Sequence, residues 1–72
     1  MPVETPTKDV PPLADLIASA RREHAMRLRV YPRYVERGKL DPKKAEHEIA
    51  CMAQIVTVLE NLQQLGLRTP AR

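Results

Sequence analysis

Residues 38–66 read GKLDPKKAEHEIACMAQIVTVLENLQQLG, and this stretch decides the fold. Asp41 before Pro42 is a helix start. The aspartate carboxylate accepts hydrogen bonds from amides of the first turn, and proline at the first helical position lacks an N–H that would have no intrahelical partner. Gly66 is a helix stop, a residue free to take the left-handed conformation past the C-terminus. The spacing between the two predicts a helix over residues 42–65. Leu40 precedes the cap and is placed to staple onto Ala45. Lys44 and Glu48 stand four apart, a favourable helical pair.

The apolar pattern inside this helix is double. Ala45, Ile49, Met52, Val56 and Leu59 form one stripe. Cys51, Ile55, Val58, Leu62 and Leu65 form a second, displaced by about 120° around the helix. A single neighbouring helix covers one stripe. The other is then exposed, which predicts self-association through Cys51, Ile55, Val58, Leu62 and Leu65. A two-fold dimer that completes a four-helix bundle is the simplest closure.

Working outward, Gly38, Lys39 and Leu40 make a connection too short for anything but antiparallel neighbours. Before it, residues 13–37 read as another helix. Leu13, Leu16, Ile17, Ala20, His24, Leu28, Tyr31, Tyr34 and Val35 fall within about 120° of one another. Asp15 suits the positive end of the helix dipole. Pro32 breaks the pattern: it removes one hydrogen bond and crowds the preceding turn, so a kink or break is expected near residues 29–31. The fold class is therefore all-α, an antiparallel two-helix hairpin with a Pro-kinked first helix, oligomerising into a helical bundle. Residues 13–67 form the hairpin domain. Residues 1–12 are expected to be a flexible arm and residues 68–72 a flexible tail.

The whole sequence has 72 residues, one Cys, two Tyr, and no Phe or Trp. An intrachain disulfide is excluded, and the core must be aliphatic. A chain this short is marginal on its own core. No apolar run approaches the roughly 18 residues of a membrane span. The first twelve residues hold Glu4, Lys8, Asp9 and four prolines, unlike a secretion signal. A single free thiol fits a reducing compartment, and a cytoplasmic location without membrane contact is expected.

The formal net charge of +3 conceals a sharper distribution. Residues 21–39 carry seven cations against two carboxylates. Arg22, Arg29, Arg33 and Arg37 lie within about 80° on the helical wheel, roughly opposite the apolar face. Arg21 and Arg27 flank that face instead. The planar guanidinium suits phosphate and carboxylate, and a nearby tyrosine ring can stack a base. The candidate anion or nucleotide site is therefore Arg22, Arg29, Arg33, Arg37 and Lys39 with Tyr31 and Tyr34. A solvated helix face and ring packing in the core are the plain alternatives. His24 reads as packing. His47 and Cys51, four apart, are too few for a structural zinc site, which needs four ligands. There is no Gly-rich phosphate loop, no nucleophile–base set and no paired carboxylates, so neither catalysis nor a cofactor is expected.

Several segments carry a resemblance. They are Arg22-Glu23-His24-Ala25-Met26-Arg27, Arg29-Val30-Tyr31-Pro32-Arg33, Gly38-Lys39-Leu40, Ala45-Glu46 and Ile49-Ala50-Cys51-Met52. Over residues 20–62 the chain resembles a family of small, mostly uncharacterised helical proteins encoded by bacteriophages and prophages, with the Val-Tyr-Pro-Arg core as the most specific part. The resemblance implies a phage origin, a host bacterial cytoplasm and a basic, kinked helical hairpin. It suggests an accessory protein that counters host defence by sequestering an anionic partner, such as a nucleotide signal, or by blocking a host protein. Nucleic-acid binding in phage replication or recombination, and a purely structural helical oligomer, are the competing expectations.

Overall fold

A computed structural model describes residues 10–66. It holds two α-helices, α1 (Leu13–Glu36) and α2 (Pro42–Gln64), and no strand among the described residues. Most of the expected N-terminal arm, the tail and the Leu67 end of the hairpin lie outside the described residues.

Local signals place the ends of α2. Asp41 Oδ2 accepts from the backbone amides of Lys43 at 3.0 Å and Lys44 at 3.1 Å. Two of the amides left orphaned by helix geometry are thereby satisfied. At the other end Gly66 takes φ 81°, and its N–H donates to the Gln63 carbonyl at 3.0 Å. The turn after α1 is a Schellman motif. Gly38 takes φ 72°; its N–H donates to Val35 O at 3.0 Å, and that of Lys39 donates to Tyr34 O at 2.8 Å. The start of α1 is weaker. Its cap position is Pro12, which offers no side-chain hydrogen bond.

The expected break at Pro32 is absent, and α1 runs uninterrupted from Leu13 to Glu36 with Pro32 inside it. The physical reason is position. Pro32 is exposed, so its ring sits on the solvent side. The carbonyl deprived of a donor belongs to Leu28, itself 52% exposed, where water can replace the lost hydrogen bond.

Two ion pairs show that the helices run antiparallel. Arg21 pairs with Glu60 and Arg27 with Glu48, so positions rise on α1 as they fall on α2. The core between them is thin: Ile17 and Ala20 from α1, Ala45 and Met52 from α2. Ile49, Val56 and Leu59 are half-buried beside them, as are Leu13, His24, Tyr31 and Val35. The first stripe of α2 is therefore the one that packs on α1. On the second stripe Ile55, Val58 and Leu65 are exposed, and Cys51 and Leu62 are half-buried. Among the described residues, no helix is long and apolar enough to cross a membrane.

Candidate anion-binding face and tyrosine cleft

The arginines of α1 divide into two groups by what they touch. Arg27 lies over the seam, with its side chain 20% exposed. Its Nε donates to Glu23 Oε2 at 3.0 Å, and its Nη1 donates to the backbone carbonyl of Glu48 at 2.9 Å. The Glu48 carboxylate adds an Nη1–Oε1 approach of 3.6 Å, and the guanidinium stands 5.8 Å from the Tyr31 ring centroid. The hydrogen bond to Glu23 is the main cause that pushes the Arg27 pKa above its ordinary value, against the opposing effect of burial. Arg27 is thus a fixed cation that ties α1 to α2. Arg21 also crosses the seam: its Nε donates to Glu60 Oε2 at 3.0 Å, and its Nη2 contacts the same oxygen.

The basic stripe behaves differently. Arg29, Arg33, Arg37 and Lys39 are exposed, and no side-chain hydrogen bond or ion pair engages them among the described residues. Among the described residues Arg22 donates only to Ser19 Oγ, at 3.1 Å. Four neighbouring cations without carboxylate partners repel one another, and an incoming anion relieves that repulsion.

Tyr31 and Tyr34 stack on each other, with ring centroids 6.3 Å apart and planes inclined by 27°. With Leu40, Lys44 and Glu48 they line an open cleft of about 450 Å³ at the turn end of the hairpin. Of the seven residues expected to form the anion site, only the two tyrosines line this cleft. The stripe arginines lie around α1 from it. Leu40, Lys44 and Glu48 are the cleft residues that sequence reasoning missed. Lys44 showed itself there only as the helical partner of Glu48, whose Oε2 lies 4.0 Å from its Nζ. A second hollow of about 340 Å³, by the start of α1, includes Asp15, Leu16, Ser19 and Arg22. It holds one cation, Arg22, and one carboxylate, Asp15, as the tyrosine cleft holds Lys44 and Glu48, and it has no aromatic ring in its lining.

On the outer side of α2, His47 Nε2 lies 3.4 Å from Cys51 Sγ. Among the described residues, no group of three His, Cys, Asp or Glu side chains stands close enough to hold a metal ion.

The chain matches no protein-family model, and it has no significant match among curated proteins or solved structures. The functional reading rests on the residues themselves.

Proposed function

We propose that this is a non-enzymatic, homo-oligomeric binding protein that sequesters a nucleotide, drawing it in with the basic face of α1 and stacking its base at Tyr31 and Tyr34. The observation that carries this reading is the division of the arginines. Arg21 and Arg27 are paired across the seam, while Arg29, Arg33 and Arg37 have no such partners among the described residues. A solvated face alone does not require the shortage of acids beside it: residues 21–39 carry seven cations against two carboxylates. Arginine is the side chain best suited to phosphate, and the tyrosine cleft, around α1 from the stripe, has the volume of a small-ligand pocket. The resemblance to phage-encoded proteins adds the setting: an accessory protein in the host cytoplasm that withholds a nucleotide signal from host defence. A bend at Pro32 without loss of the helix belongs to the same reading, because it aims the last turn, with Arg33 and Arg37, relative to the cleft.

Native mass spectrometry of protein purified from cells, followed by thermal shifts with a panel of mono- and dinucleotides, tests the reading. A retained or stabilising nucleotide is expected. Arg29→Ala with Arg33→Ala should abolish that stabilisation while circular dichroism and oligomeric state stay unchanged. Unaltered binding in the double variant overturns the proposal. A second reading, nucleic-acid binding, is favoured by the unpaired arginines at four-residue intervals. It predicts affinity that falls steeply with salt through counterion release, whereas a nucleotide bound in a cleft is less salt-sensitive and saturates at a fixed ratio.

A further inference from the structure

The two ion pairs mark the two edges of the α1–α2 seam, and steps of seven residues carry each edge along its helix. On the Arg27–Glu48 edge, Arg27 leads to Tyr34, and Glu23, one turn before Arg27, leads back to Leu16. Glu48 leads to Ile55 and then Leu62. Leu16 is 40%, Tyr34 41%, Ile55 46%, Val58 46% and Leu65 73% exposed. No charged residue interrupts α2 between Glu48 and Glu60. The apolar face therefore runs along α2, with Leu16 and Tyr34 of α1 beside its two ends and the ion pairs of Glu23, Arg27 and Glu48 between them. On the Arg21–Glu60 edge the corresponding steps reach Leu28 and the small residues Ala14 and Ala53.

We propose that a second copy of this chain docks on this two-helix face in antiparallel register. The turn end of each copy then lies over the open end of the other, and each copy closes the other's tyrosine cleft. Two layers of secondary structure are the minimum for a stable core, and the hairpin supplies one. Among the described residues no large side chain is fully buried in it. Helices of this length are about 35 Å long and a pair is about 20 Å wide, so each copy offers about 700 Å² and the pair about 1,400 Å², within the range of stable interfaces.

Charge selects a second copy in this register. Residues 33–44, at the turn, carry five cations and two carboxylates. Residues 13–19 and 57–66, at the open end, carry Asp15 and Glu60 and no cation. Glu60 is already paired with Arg21, so the selection rests on the turns: antiparallel docking keeps the two basic turns apart, whereas the parallel alternative sets them together. The stripe of Arg29, Arg33 and Arg37 stays outside on the far side of α1. Ile55, near the middle of the face, meets its own copy across the two-fold axis. The Leu16 and Leu62 end of the second copy then covers Tyr31, Tyr34 and Leu40, turning an open cleft into a closed chamber. Only the content of that chamber rests on the nucleotide reading above; the docking does not.

Sedimentation velocity of the full chain should give twice the chain mass or an even multiple of it. Ile55→Glu should give the single chain mass, and Leu28→Glu, on the other edge, should keep the assembly. In a Cys51→Ser background treated with diamide, Ile55→Cys should yield a disulfide-linked dimer and Leu62→Cys should not. A monomeric wild type, or dissociation by Leu28→Glu instead of Ile55→Glu, overturns the surface. Cross-linking through Leu62→Cys overturns the register. Cross-linking of Ile55→Cys reads the contact even if Ile55→Glu fails to fold. Heparin-column elution with sedimentation separates the two proposals: Arg29→Ala with Arg33→Ala should elute at lower salt than wild type and remain assembled, so loss of the basic stripe and loss of the assembly are read apart.

Discussion

The two helices are nearly equal in length, 24 residues in α1 and 23 in α2, yet they are held in opposite ways. Helix α2 is defined locally, with an aspartate cap, a proline at its first position and a glycine beyond its end. Its middle is uncharged and apolar on two sides. Helix α1 begins at an uncapped Pro12, contains Pro32 and carries most of the arginines. It owes its place to contacts across the seam, above all Ile17, Ala20 and Arg27. The contrast teaches a division of labour. The helix that is locally secure supplies apolar surface for packing. The helix that depends on its neighbour is the one left free to present charge.

Four substitutions break or sharpen this contrast, and a fifth measures its lower limit. Ile17→Ala removes the most buried side chain of α1 and should cost about 2–4 kcal/mol in urea unfolding, enough to unfold much of so small a domain. Pro32→Ala restores a helical hydrogen bond and should stabilise by about 1–3 kcal/mol. A fall in nucleotide stabilisation alongside the gain would mark the proline as a device for aiming the last turn. Arg27→Gln removes a charge-assisted bond to the Glu48 carbonyl and should cost about 1–2 kcal/mol. The loss should survive high salt better than that of an exposed pair. Asp41→Ala removes the α2 cap and should cost about 1 kcal/mol, seen as a lower Tm. Arg21→Gln breaks a pair whose arginine is 62% exposed and should cost under about 0.5 kcal/mol. A loss for Arg21→Gln as large as that for Arg27→Gln would end the distinction between the two seam arginines.

Much of the fold was legible in sequence because its signals act within four residues. Asp41, Pro42, Gly38 and Gly66 set helix ends through their own turns, and the structure has them in those roles. The kink-or-break expectation at Pro32 lost its break, because local propensity alone does not say which side of a helix faces water. Of the candidate site, the exposed stripe was legible as a periodicity, since it needs only 100° per residue. The cleft was not, because Leu40 and Lys44 meet the tyrosines from the far side of the turn.

The sequence by itself determined two helices, their polarity of charge and the existence of two apolar stripes on α2. Tertiary structure decided which stripe was covered, and which arginines became structural. Arg21 and Glu60 lie 39 positions apart in the chain, and Arg27 lies 21 from the carbonyl it binds. Pairing at such distances follows from the rotation of each helix about its axis against the other. That rotation is set by how Ile17, Ala20, Ala45 and Met52 pack, and no local spacing encodes it.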